Sequence, residues 1–425
     1  MTIEEIYSIY KQYPNIQTDS RKLKTGDLFF ALKGPNFNGN LFAKEALETG
    51  AVYVIADEEI PFDDDRIIHV DNVLKTLQNL AKRHREQFNI PFIAITGSNG
   101  KTTTKELIHA VLSTSFKTYT TIGNLNNHIG IPLTILRIKP EAEMAVIEMG
   151  ANHQHEIEEY CMYAQPNYGL ITNIGKAHLE GFGGLDGVKK GKGELFTYLG
   201  KTNGTAFVYS DDANVVELSE RVKNNVHYGS LNELPTGRIT VKDPFIGFEV
   251  PGEKPLSIQT NLVGSYNLPN LLAAVCVGRY FKVKDKKIKD ALENYIPSNS
   301  RSQLIEKDGN KIILDAYNAN PGSMKLAIEN LAQMKGEKKI LFLGDMKELG
   351  TESKAEHQTI VNLLNQFNWS EVILVGANFG EIQSTYKHFE NSKQAAEWFK
   401  EQKIKDALIL VKGSRSMEME QVVRS

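Results

Sequence analysis

Apolar positions recur along the chain in two rhythms. Ile3, Ile6 and Ile9 fall at near-helical spacing and predict an amphipathic first helix; the runs DLFFAL and AVYVIA around FAKEALETG predict a small α/β unit. The stretch VLKTLQNLAKRHREQF reads as a helix leading into the apolar strand PFIAIT, so a boundary is placed near residue 88. From there to about residue 300, AEMAVIEM, YGLITNI and GTAFVYS alternate with helical stretches, the pattern of βα units that build a mostly parallel sheet. TVKD, FIGFEV and LSIQT, between Gly237 and Leu262, predict an added antiparallel meander, and Pro269 to Phe281 a buried helix. After Pro297 the alternation restarts with KIILDA, KKILFLGD, EVILVG and ALILVKG, the signature of a Rossmann-like unit. The expected fold is α/β with three domains: a small α/β domain over 1–87, a central mostly parallel sheet over 88–298, and a Rossmann-like domain over 299–425.

Composition narrows the classes. Hydrophobic residues make up 41% and charged residues 24% of 425, which excludes wholesale disorder and a fibre. With 49 Lys and Arg against 52 Asp and Glu, the net charge is -3, so no global attraction to nucleic acid or anionic lipid is available. Any phosphate must be held locally. The two cysteines, Cys161 and Cys276, lack the spacing of a disulfide framework or a zinc site and are expected to be buried thiols. The N-terminal residues lack a basic segment followed by an apolar one, and no window approaches 18 uninterrupted apolar residues. A cytoplasmic protein without membrane insertion is the expectation, a monomer being the simplest state.

The strongest chemical signal is IAITGSNGKTTTKELIHAVL: an apolar strand, a glycine loop, Lys-Thr, then a helix. Glycines let backbone N–H groups converge on phosphate oxygens, and the helix N-terminus adds its dipole. Lys101 supplies a mobile charge and the Thr102 hydroxyl can ligate magnesium. ATP is the expected ligand. The loop is shorter than the usual G-x-x-x-x-G-K-[ST], because position 95 is Ile95. Two further strands end in polar groups on what should be the same sheet edge: AVIEMGANH delivers Glu148, and LITNIGKAHLEGFG delivers Asn173 and His178, a plausible second magnesium site. His153 and His155, two apart, read as surface residues. In the third unit LDAYNANPGSM carries Asp315, Tyr317, Asn318 and Asn320, LGDMKELG carries Asp345 and Glu348, and LVKGSRSM carries Lys412, Ser414 and Arg415. Such an edge suits a zwitterionic substrate.

Taken in order, TDSRKLKTGDLFFALKGPNFNGN, TGSNGKTTTKE, GNLNNHIGIPLT, EMGANH, TNIGKAHLEGFG, DAYNANPGSM, LGDMKELG and KGSRSMEME closely resemble the Mur ligase superfamily over nearly the whole chain. The AYNANP segment with LGDMKELG resembles the branch that adds D-alanyl-D-alanine to UDP-MurNAc-tripeptide, a step of peptidoglycan synthesis. The resemblance implies a UDP-sugar-binding N-terminal domain, a central ATPase domain and a C-terminal domain bringing the dipeptide, with an acyl phosphate as intermediate. Residue by residue it implies that Gly97, Ser98, Asn99, Gly100, Lys101, Thr102 and Thr103 form the phosphate loop and that Thr102, Glu148, His178 and Lys192 surround Mg2+, Lys192 through a carbamate. Asn267, Asn270, Arg301 and Asp315 would contact the nucleotide. Ser20, Arg21, Phe30, Lys33, Gly34 and Asn38 would serve the uridine diphosphate, and Asn124, Asn126 and Asn127 the substrate cleft. Asn318, Asn320, Asp345 and Lys412 would form the dipeptide pocket. The chain departs from the family pattern at Tyr266, where histidine is frequent, and around Arg301. A sister amide ligase that adds a single amino acid, a folylpolyglutamate synthase-like enzyme, and a nucleotide-binding homologue without chemistry are the alternatives.

Overall fold

A computed structural model describes residues 1–230, 237–252, 254–298 and 300–424. The first helix, Ile3–Gln12, starts at a Thr2/Glu5 capping box and buries Ile6, Tyr7 and Tyr10, the stripe that its apolar spacing predicts. It covers a four-stranded parallel sheet ordered Ile16–Gln17, Leu28–Phe30, Tyr53–Ala56 and Ile67–His69. Both faces of this sheet are covered, so Leu28, Phe29 and Phe30 are all buried.

Helix Val73–Arg85, capped by the Asn72 side chain, joins this unit to the next. Its last residue acts as a clamp: the Arg85 guanidinium donates to the carbonyls of Ala164 at 3.0 Å, Gln165 at 2.9 Å and Phe88 at 2.8 Å while lying over the Phe92 ring. Burial pulls its pKa down to about 10. Those three carbonyls are the compensation a buried cation needs.

The central sheet has six parallel strands in the order Asn224–Tyr228, Thr205–Tyr209, Tyr168–Ile171, Phe92–Thr96, Met144–Glu148, Thr118–Thr120. Phe92–Thr96 is buried at every position because it has a strand on each side and helices above and below. The chain fills one flank of this strand, then crosses to the other. Such a switch point opens a crevice at the carboxyl end of the strand. The register puts Ile95 beside Glu148 and Thr96 beside Ile171, so the groups that follow all three strands emerge together.

The antiparallel meander is present as Arg238–Val241, Phe245–Val250 and Leu256–Val263, and it shares a core with helices Lys101–Ser113 and Leu268–Tyr280. The third unit is a six-stranded sheet ordered Gln303–Lys307, Asn310–Asp315, Leu408–Lys412, Lys339–Gly344, Glu371–Val375, Lys387–Phe389. Its first pair is antiparallel and the rest are parallel. Asn299, where a domain boundary was expected, lies outside the described residues. Both cysteines are buried free thiols, and no helix among the described residues is long and apolar enough to cross a membrane.

Candidate active site

The loop after Phe92–Thr96 can turn only as glycines allow. Gly97 has φ +140° and Gly100 φ +79°, and neither position has room for a side chain: a Cβ on Gly97 would sit 2.0 Å from Thr172 Oγ1, one on Gly100 2.6 Å from Asn270 Oδ1. The neighbouring strand end laces the loop in place. Asn173 Oδ1 accepts from the Asn99 amide at 3.0 Å while its Nδ2 donates to the Asn99 carbonyl at 3.0 Å; the Thr172 hydroxyl donates to that same carbonyl at 2.6 Å. Ser98 Oγ both donates to and accepts from Gly175 at 2.9 Å. Behind the loop, Thr104 Oγ1 donates to Asn270 Oδ1 at 3.0 Å and Asn270 Nδ2 donates to Asn267 at 2.9 Å. Asn267 and Asn270, expected as nucleotide contacts, brace the loop, and both line the cleft.

Lys101 opens the helix that follows, its ammonium folded back onto the carbonyls of Gly97 at 2.6 Å and Ser98 at 3.2 Å. Burial lowers its pKa, partly offset by Glu148. Glu148 is buried. Its Oε1 accepts from Thr102 Oγ1 at 3.0 Å and Asn126 Nδ2 at 2.8 Å, and its backbone N–H donates to Thr121 Oγ1. Its second oxygen, Oε2, is buried without a hydrogen-bond partner. A carboxylate oxygen in that condition is costly unless a cation completes it. With the Thr102 hydroxyl alongside, the donors are hard oxygens, the kind magnesium takes. Among the described residues no group of three or more His, Cys, Asp or Glu forms a ready-made cage.

His178 lines the same cleft, its Nδ1 2.6 Å from Glu348 Oε2. Lys192 lies beneath the wall. It is fully buried, donates to the carbonyl of Ala151 at 2.8 Å and sits 4.9 Å from the centre of the Phe182 ring. Burial, reinforced by the charge of Lys101, holds its pKa well below the usual lysine value, so the amine is easily neutral.

The third unit closes the cleft, a cavity of about 780 Å3. Asn320 caps helix Pro321–Gln333 through Ser323, and its Nδ2 donates to Asn99 Oδ1 of the phosphate loop at 2.7 Å. Asp315 and Lys412 are register partners on adjacent strands and pair at 2.6 Å; Lys412 also reaches the Asn318 carbonyl at 3.2 Å. Arg301 stacks on Tyr317, 3.5 Å from the ring centre, and its Nε is buried without a partner. Tyr266 OH meets Ser302 Oγ at 3.1 Å, joining the central unit to the third.

The cleft therefore brings together Ser98 to Thr103, Asn124, Asn126, Asn127, Glu148, His178, Asn267, Asn270, Arg301, Asp315, Asn318, Asn320 and Lys412. Two of the expected substrate contacts are fully buried elsewhere. Phe30 has no exposed surface and belongs to the core of the first sheet. Asp345, also fully buried, accepts from the backbone N–H groups of Asn378 at 2.9 Å and Phe379 at 3.0 Å, which makes it a turn anchor. Ser20, Arg21, Lys33, Gly34 and Asn38 sit on the first unit, outside the cleft lining. There Arg21 forks onto Asp19, and Lys33 and Asn38 both engage Glu58. His153 and His155 are exposed, each beside a glutamate of its own turn. Thr121, Glu156 and Tyr209 were not anticipated. Only Thr121 has a direct bond to a predicted group, and no local motif marks it.

Three family models match the chain: "Mur ligase family, catalytic domain" over residues 12–85, "Mur ligase middle domain" over 95–278 and "Mur ligase, glutamate ligase domain" over 300–415. The chain is 34% identical to the UDP-N-acetylmuramoyl-tripeptide--D-alanyl-D-alanine ligase of Bacillus subtilis strain 168, covering 96% of this chain and 92% of that one. It is 36% identical to the enzyme of the same name from Escherichia coli K12, covering 96% and 93%. Among solved structures, MurF from Acinetobacter baumannii superposes with a TM-score of 0.88 at 32% identity, covering 96% and 92%. MurF ligase from Thermotoga maritima in complex with ADP superposes with 0.86 at 29%, covering 96% of each.

Proposed function

This chain belongs to the Mur ligase family, and we propose that it is the ATP-dependent ligase that joins D-alanyl-D-alanine to UDP-N-acetylmuramoyl-tripeptide, yielding the pentapeptide precursor, ADP and phosphate. The observation that carries this reading is the 2.7 Å amide bridge from Asn99 to Asn320, which puts a phosphate loop and an amide-rich acceptor segment on opposite walls of one cleft. Residues 1–87 would hold the UDP-sugar, 88–298 the ATP, and 299–425 the dipeptide.

The tripeptide carboxylate attacks the γ-phosphorus, the bond to the β-phosphate oxygen breaks, and ADP departs from an acyl phosphate. The dipeptide amine then adds to the acyl carbon, loses a proton, and phosphate leaves as the amide forms. Loop amides and Lys101 hold the phosphates in line, with Lys101 exchanging its two carbonyl partners for phosphate oxygens. Asn267, Asn270 and the Arg301–Tyr317 stack hold the nucleotide. Asn318, Asn320 and Lys412 orient the dipeptide, with the Lys412 ammonium facing its carboxylate. Ser20, Arg21, Lys33, Gly34 and Asn38 take the uridine diphosphate, and Asn124, Asn126 and Asn127 the sugar-peptide.

Thr102, Glu148 and His178 would hold Mg2+, which when bound supplies charge neutralisation between the phosphates. The neutral Lys192 amine can add carbon dioxide, forming an N–C bond and releasing a proton, so that a buried neutral amine becomes an anionic ligand. ADP release with ATP, Mg2+ and UDP-MurNAc-tripeptide tests the whole reading. Turnover that requires D-Ala-D-Ala and adds its mass to the nucleotide supports it; turnover with a single amino acid, or nucleotide binding without turnover, overturns it.

A further inference from the structure

The loop that carries His178 is gripped from across the domain seam. Lys176 Nζ lies 2.5 Å from Glu356 Oε1, His178 Nδ1 lies 2.6 Å from Glu348 Oε2, and the Glu180 amide reaches the Glu348 carbonyl at 3.4 Å. His178 and Glu348 both hold left-handed backbone, φ +53° and +63°, which residues with a Cβ adopt uncommonly. These two strained turns face each other. His178 Nδ1 is buried and makes no hydrogen bond elsewhere, which leaves Nε2 as the ring nitrogen for the cleft that Glu148 and Thr102 also line.

We infer that Glu348 is a positioning residue: from the third unit it holds the His178 ring as the Nδ1–H tautomer, so that Nε2 offers its lone pair to the divalent cation only when the third unit is seated. This rests on the metal assignment of the ligase reading. A carboxylate behind a ligating imidazole fixes its tautomer and orientation, and losing it typically weakens metal binding about 10- to 100-fold. The Lys176–Glu356 pair grips the same loop without touching the imidazole, so it separates positioning from docking.

Mn2+ titration followed by electron paramagnetic resonance, with ADP present, would compare the wild type with Glu348→Ala, Glu348→Gln and Lys176→Ala. Glu348→Ala is expected to weaken Mn2+ by about tenfold or more. Glu348→Gln, whose amide oxygen still accepts from Nδ1–H, and Lys176→Ala should each stay within about threefold. In the metal-free protein, 15N spectra of the histidine rings, with His178→Gln to assign the signal, should show one tautomer in the wild type and a shift toward Nε2–H in Glu348→Ala. The Gln variant keeps the test open should the Ala variant fail to fold. Unchanged Mn2+ affinity and tautomer in Glu348→Ala, or an equal loss in Lys176→Ala, would overturn the assignment. A wild type that ligates the dipeptide while Glu348→Ala behaves normally removes only this inference; a wild type that binds no Mn2+ removes the metal site beneath it.

Discussion

Glu148 and Asp345 occupy matching places in two different sheets, each at a strand flanked by parallel neighbours. Each stands at the carboxyl end of a buried strand, each is buried, and each belongs to a motif rich in glycine. They differ in what their oxygens do. Both Asp345 oxygens accept backbone N–H groups, and a Cβ on Gly376 would come within 2.4 Å of its carboxyl carbon. Glu148 has one oxygen bonded to Thr102 and Asn126 and the other bonded to nothing. A carboxylate whose acceptors are all satisfied by the fold supports the fold. One left incomplete in a cleft is available to a ligand.

The largest expected effect falls on the glycine loop beside Glu148. Lys101→Ala should lower dipeptide-dependent ADP release by about 1,000-fold with thermal unfolding unchanged; a loss under tenfold would detach the loop from the chemistry. The next test pits the two carboxylates against each other. Glu148→Gln should cut turnover about 100-fold with little change in denaturant midpoint, because the altered oxygen has no partner in the fold. Asp345→Ala should destabilise by about 3 kcal/mol, since the buried Phe379 N–H and the half-buried Asn378 N–H lose their acceptor, while the folded fraction keeps its affinity for ATP. The reverse pattern would erase the distinction.

The smallest effect concerns a buried polar group with no ligand role. His84 has both ring nitrogens engaged, at 3.2 Å with Tyr7 OH and 2.8 Å with the Ile138 carbonyl, and burial lowers its pKa below 6.5. Below pH 6.5 the unfolded chain takes up a proton that the folded ring resists. Stability should therefore fall as pH drops from about 6.5 to the folded pKa and level off beneath it. Denaturant midpoints of His84→Phe across that range should show a shallower slope, the remainder coming from His109 and His357, whose burial lowers their pKa in the same way; an unchanged slope would remove His84 from it.

The phosphate loop was legible because its logic is local: strand, glycines, Lys-Thr and helix lie within one stretch, and φ at Gly97 and Gly100 demands the residue found there. The long apolar runs were legible for the same reason. Short strands such as Thr118–Thr120, Ile67–His69 and Lys387–Phe389 carry too few alternations to announce themselves. Phe30 could not be judged because both faces of its sheet are covered, so period two carries no direction. Asp345 misled because a motif names a carboxylate but not its acceptor count, which depends on Asn378 and Phe379, more than thirty residues away. Thr121 emerged only through the register of an edge strand.

The seam between the second and third units has two chemically distinct ends. At one, Asn320 meets Asn99 through neutral amides; at the other, the half-exposed Lys176 ammonium meets the Glu356 carboxylate. Salt screens charges that touch water and leaves an amide bridge nearly untouched. Rising ionic strength should therefore weaken the seam first at its charged end, while the amide end keeps its strength.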